Sequence, residues 1–261
     1  MQPALKSQDS TIFLYDGSFE GLLTAIFESY DRKIVPINIV AEEDHQESLF
    51  DTAEVIETDP RKSNRVYAGL RSRTSPGGAR RLYRCFLSEQ PGIELLIFDF
   101  ARKCFASEIN IEENYADDTV RTLHEINNKI GREVHRMHAF VRFQRTADDI
   151  FFSVIEPDFN VIPLIGDHFE KRYADQRWII YDTSRHYGIH YDLHKVEYVT
   201  FAEANHLQFR QLSADILQSE ELDYQKLWKS YFDAVNIPER RNMKLHLQHV
   251  PKRYWKYLSE K

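Results

Sequence analysis

Between residues 117 and 138 the apolar positions Val120, Leu123, Ile126, Ile130, Val134 and Met137 recur at three- and four-residue steps, which predicts one long helix with a single apolar stripe. Its opposite side carries Glu125, Asn128, Arg132, His135 and Arg136. Beyond it the period shortens to two. Residues 140–145 and 150–156 alternate around the turn-like Thr146-Ala147-Asp148-Asp149, the pattern of a β-hairpin. A helix is predicted over 160–173 with Pro163 near its first turn, followed by aromatic-rich strands at 178–182 and 187–191. These strands and the hairpin predict a C-terminal antiparallel sheet.

Upstream, the β-prone run Thr11-Ile12-Phe13-Leu14-Tyr15 meets Asp16-Gly17, and Ser18 can cap a helix whose apolar face is Leu22, Leu23, Ile26 and Phe27. Strands are predicted at 34–40 and 53–58. Helices are predicted from Asp59-Pro60, over 80–88 and over 93–106. Another amphipathic helix is predicted over 219–235, followed by a tail rich in cations and rings. The fold class is therefore α+β: an N-terminal α/β lobe over residues 1–80, then residues 81–261 as a helical middle and an antiparallel sheet with packed helices.

Composition changes this picture little: 42% hydrophobic against 29% charged residues excludes disorder over most of the length. No apolar run reaches membrane-spanning length, and residues 1–10 lack a secretory pattern. Cys85 and Cys104 are too few for a disulfide framework or an iron–sulfur cluster. A reduced cytoplasm, buried thiols and no cofactor of the protein's own are expected.

Charge is distributed unevenly on a chain of net charge −7. Residues 42–59 hold eight acids and no Lys or Arg, while residues 61–84 hold eight Lys or Arg and no acid. The second segment is either a solvated face neutralised by the first or a phosphate-binding surface. Residues 239–261 carry a local +5, with Arg240, Arg241, Lys252 and Arg253 interleaved among Tyr254, Trp255 and Tyr257. Such a mixture can pair phosphates and offer rings to bases, or the rings can clamp the tail to the core.

The candidate chemistry gathers on the long helix and the segments after it. His135 and His138 share a helical face that His168, Glu156 and Asp158 could approach, but no zinc signature is present and no metal is expected. For proton transfer, His135 lies between Arg132 and Arg136, with Glu156 and Asp158 as carboxylate partners. Arg132, Arg136 and Arg142 could hold phosphate. The plainer reading is a polar network tying helix to sheet. Asp16-Gly17-Ser18 could cradle a phosphate at a helix start, but it lacks the spacing of either glycine-rich nucleotide fingerprint.

Several separated segments carry a resemblance: residues 15–25, then Gly131-Arg132-Glu133-Val134-His135-Arg136-Met137, Glu156-Pro157-Asp158, His168-Phe169, Trp178-Ile179-Ile180-Tyr181-Asp182 and residues 251–258. Together they resemble a bacterial family of DNA-metabolism or DNA-repair proteins that occurs beside a radical-SAM partner protein, its module sometimes fused to a uracil-DNA-glycosylase-like domain. The resemblance implies a nucleic-acid-binding accessory that presents DNA, single-stranded or damaged, to that partner. No glycosylase chemistry is expected of the present sequence. The alternative is an enzyme acting on a nucleotide or damaged base through Arg132, His135 and Glu156.

Overall fold

The computed structural model describes residues 11–46, 52–146 and 149–201. Strand β1 (Thr11–Tyr15) is the middle strand of a parallel sheet in the order β2-β1-β3, flanked by β2 (Asn38–Ala41) and β3 (Thr52–Val55). Helix α1 (Phe19–Arg32) makes the crossover that lets β1 and β2 run the same way. All five residues of β1 are buried, as expected of a central parallel strand read as a continuous apolar run. Ser18 caps α1 by accepting the Gly21 N–H at 2.9 Å, and Leu22, Leu23 and Ile26 turn inward.

Asp59 caps α2 (Pro60–Arg73), its side chain accepting the Arg61 N–H at 2.8 Å, with Pro60 fixing the first turn. Helices α3 (Gly78–Phe86) and α4 (Ile93–Ala106) follow, and α4 buries Ile97, Phe98, Phe100 and Ala101. The 23-residue α5 spans Asp118–Phe140. Val120, Leu123, Ile126, Ile130 and Met137 are buried as the stripe predicts, while Val134 is half-buried.

Two compact units, residues 1–130 and 131–261, divide within α5, so the helical middle groups with the α/β lobe. In the second unit, β4 (Gln144–Arg145), β5 (Phe151–Ile155), β6 (Trp178–Asp182), β7 (Tyr187–Tyr191) and β8 (Val196–Val199) form one sheet in that order. The fold is α+β, and its C-terminal sheet is antiparallel at three of its four junctions. The exception corrects the sequence reading. β5 and β6 are parallel, from Phe151↔Trp178 to Ile155↔Asp182, because α6 (Ile162–Arg172) carries the chain back between them.

The hairpin exists but is short. α5 runs on to Phe140, with the Val141 N–H still bonded to the Met137 carbonyl at 3.1 Å, leaving two residues to pair with β5. Strand β8 was not expected. The predicted helix over 219–235 and the tail lie outside the described residues, within which no helix is long and apolar enough to cross a membrane.

Candidate functional site

The polar residues of α5 divide into exposed groups and one buried carboxylate. Arg132 and His135 are exposed. Glu133 is only 1% exposed, although the sequence reading gave it no role. Its Oε1 accepts the Asp158 N–H at 3.0 Å, and its Oε2 lies 3.5 Å from Nη1 of the half-buried Arg136. One signal was available: Glu133 stands three residues after Ile130 and four before Met137, on the apolar stripe itself.

The segment Glu156-Pro157-Asp158 is held from its other side by Arg185. This guanidinium donates to the Pro157 carbonyl at 3.2 Å and the Asp158 carbonyl at 3.3 Å, and binds Asp182 Oδ2 at 2.9 Å. Asp182 is fully buried and closes the β6–β7 turn by accepting the Ser184 N–H at 2.9 Å. Burial pushes its carboxyl above the usual carboxylate range, against the opposing pull of Arg185. A carboxylate and guanidinium network thus lies at the carboxyl ends of the parallel pair β5–β6, the edge where α/β sheets commonly present ligand sites.

Of the expected proton-transfer residues, Asp158 is therefore tied to α5 through its backbone, and Glu156 is half-buried in the same segment. His135 makes no hydrogen bond among the described residues. Arg142 donates to the carbonyls of Ala139 at 2.7 Å and Val141 at 3.3 Å, an attachment that closes the C-terminal end of α5. Arg240, Arg241, Lys252, Arg253 and Trp255 lie outside the described residues.

His138 and His168 stack with ring centroids 3.8 Å apart and planes 12° from parallel. His138 Nε2 is buried without a hydrogen-bond partner among the described residues. Burial, then the neighbouring His168 and His135, pushes this imidazole down to about 4, and burial followed by Arg172 lowers His168. Among the described residues no three His, Cys, Asp or Glu side chains converge as metal ligands. The pair instead predicts a pH dependence. Free histidine takes a proton near 6.5, whereas folded His138 resists it down to about 4. As pH falls through that window the unfolded chain binds protons that the fold refuses, so stability drops. Urea midpoints measured across it should fall less steeply for His138→Gln than for the parent, and equal slopes would mean that His138 does not set this pH dependence.

In the first unit, the acid-free segment from Arg61 to Arg84 forms α2 and α3. Its ion-pair partners come from elsewhere: Lys62 pairs with Glu28, Arg61 with Asp59, and Arg81 with Glu112. Arg65 lies 5.5 Å over the Phe27 ring, and Arg73 donates to the Ser107 carbonyl at 3.0 Å. Arg71 and Arg80 are exposed without an ion pair among the described residues. Glu42, Glu43 and Asp44, the described acids at the start of the acidic segment, make no ion pair with α2 or α3.

The Asp16-Gly17-Ser18 turn fills its own anion site. Asp16 Oδ1 accepts the Ser18 N–H at 3.0 Å and hydroxyl at 2.7 Å, and Oδ2 accepts the Thr58 hydroxyl at 2.8 Å. A carboxylate therefore already sits at the start of α1, where a phosphate would be repelled. Burial, the largest single effect, opposes these bonds, but together they hold Asp16 below the usual carboxylate range.

A cavity of about 260 Å³ opens among α3, α4 and α5 of this unit. Leu82, Phe100, Val120 and Leu123 supply apolar wall, and the rings of Tyr115 and His124 meet edge to face at 4.8 Å. Asn127 also lines the cavity, and its Oδ1 is buried with no hydrogen-bond partner among the described residues. Cys85 also lines it, its thiol donating to the Leu123 carbonyl at 3.3 Å and pushed up to about 12 by burial. That thiol is inert, as expected of a buried cysteine. No sequence period indicated this cavity, which arises only where three helices meet.

A family model described only as a domain of unknown function matches residues 91–260. No curated protein matches the chain.

Proposed function

The chain belongs to the DUF4130 family, whose description names no activity, and we propose from its residues that it acts as a nucleic-acid-binding accessory of DNA repair or DNA metabolism. In this reading it works in the cytoplasm and presents DNA to a separate radical-SAM enzyme, as the sequence resemblance implies. The observation that carries the DNA contact is the basic surface of α2 and α3. Arg71 and Arg80 project from it without ion pairs among the described residues, and of the described acids in residues 42–59 Asp59 alone pairs with it, at Arg61. Exposed, unpaired guanidiniums attract phosphates even on a chain of net charge −7.

Salt dependence tests the reading. Each phosphate contact releases counterions, so replacing both Arg71 and Arg80 by Ala should weaken single-stranded DNA binding and flatten the log–log salt slope by about two units at most. The melting temperature should stay constant, because neither side chain is buried. An unchanged slope would exclude this surface. The same measurement on Lys252→Ala with Arg253→Ala tests the tail as a second contact.

A second reading, catalysis on a nucleotide or damaged base, draws on the carboxylates gathered at the ends of β5 and β6. In it Arg132 and Arg136 hold phosphate while His135, Glu156 or Asp158 moves a proton. His135→Ala and Arg132→Ala should then abolish survival after DNA damage with melting temperature unchanged, and normal survival in both variants would exclude it.

A further inference from the structure

We propose that Arg80 and Arg84 of α3 form a clamp for one phosphate group. This deepens the nucleic-acid reading and rests on it for the source of the phosphate. The observation behind it is a cation without a counter-charge. Among the described residues of the first unit, Lys62, Arg84 and Arg102 are the half-buried Lys and Arg side chains. Lys62 pairs with Glu28 and Arg102 lies 3.9 Å from Asp99, whereas Arg84 has neither an ion pair nor a hydrogen bond among the described residues. Taking part of a charge out of water without a partner is costly. Arg84 Nε is itself buried with no acceptor among the described residues, so a ligand reaches this guanidinium only at its terminal nitrogens.

Arg80 supplies the second half of the clamp. It stands four residues earlier on α3, a spacing that puts the two Cβ atoms about 5–6 Å apart on one helix face. It is exposed and has no ion pair among the described residues. Two guanidiniums so placed repel each other in the empty protein. Arg81 does not join them, because it donates to the Ser75 hydroxyl at 3.0 Å and pairs with Glu112. Helix α3 offers no acid of its own.

The missing partner is therefore an anion. A water molecule would fill a hydrogen-bond position but leave both charges unopposed. A carboxylate has two oxygens, which one guanidinium fork occupies, whereas the tetrahedral oxygens of a phosphate can engage two forks at once. A nucleic-acid strand and a free phosphate share this chemistry, and the experiment separates them.

The full-length protein is titrated with a fluorescein-labelled oligothymidine, and its melting temperature is followed separately in inorganic phosphate and in chloride at matched ionic strength. Arg84→Lys and Arg80→Lys keep the charge and the apolar stem but lose the fork. Each should weaken oligothymidine binding about tenfold, the worth of one charge-assisted hydrogen bond, with the salt slope and the melting temperature in chloride unchanged. The double variant should be no more than about twofold weaker than either single one, because both side chains hold the same phosphate. Phosphate should raise the melting temperature of the parent above its value in chloride and fail to do so for Arg84→Lys. Parental affinity in Arg84→Lys overturns the clamp, as do losses that multiply to about a hundredfold in the double variant, which would place the two arginines on separate phosphates. In both cases the basic-surface reading survives on the salt slope of the Arg71 and Arg80 variant. If phosphate stabilises the parent through Arg84 while the oligothymidine does not bind, the clamp stands with a free phosphate as its ligand and the nucleic-acid reading fails. Absence of both effects overturns both.

Discussion

Replacing Glu133 with alanine is expected to cost about 3–5 kcal/mol of stability, the usual consequence of removing one member of a buried, hydrogen-bonded ion pair. Glu133 is 1% exposed, and its loss leaves the Asp158 N–H without its acceptor and Arg136 without its carboxylate. Arg136 keeps 26% of its side chain in solvent, which places the effect toward the lower end of that range. Glu133→Gln keeps an oxygen for Asp158 and forfeits only the charge, so about 1–2 kcal/mol is expected. Arg132→Ala and His135→Ala, at exposed positions of the same helix, should stay within about 0.5 kcal/mol. Urea denaturation of the four variants tests the ranking. If Glu133→Ala is as mild as Arg132→Ala, the segment Glu156-Pro157-Asp158 does not depend on α5 for its position.

This ranking also shows where sequence reasoning succeeds and where it stops. The stripe from Val120 to Met137 was legible because burial on a helix repeats at a fixed angle, and its members are inward except for half-buried Val134. Glu133 occupied the same stripe yet its role stayed hidden, since its partner is a backbone N–H twenty-five positions away and backbone groups leave no trace in a residue pattern. The parallel pairing of β5 with β6 was missed for a different reason. Alternation at period two is identical in parallel and antiparallel strands, and only the connection tells them apart. That connection contained the predicted helix now seen as α6, too long a return for a hairpin, so the information was present in the chain. The helix, hairpin and turn patterns thus located the elements, whereas the buried network and the cavity depend on contacts that only the folded chain makes.

Trp178→Ala should be more damaging than any exposed substitution, at about 3–5 kcal/mol, because the largest side chain would be removed from a packed aromatic cluster. Trp178 is fully buried at the start of β6, where its ring lies 5.5 Å from Tyr191, 6.1 Å from Phe169 and 6.3 Å from Phe143. These neighbours belong to β7, α6 and the residues leading into β4, so the indole joins three parts of the second unit. Marginal stabilities of about 5–15 kcal/mol mean that the alanine variant forfeits a large share of the total. Trp178→Phe behaves differently on physical grounds. The indole Nε1 is buried with no acceptor among the described residues, so the native residue already bears an unmet donor worth about 1–3 kcal/mol. Phenylalanine sheds that penalty while losing part of the apolar contact, and the two changes oppose each other. The phenylalanine variant should therefore lie within about 1.5 kcal/mol of the parent. Thermal and urea unfolding of both variants decide the matter. Equal losses for alanine and phenylalanine would mean that the indole nitrogen has a partner in solution and that its hydrogen bond, rather than ring packing, holds β6 in place.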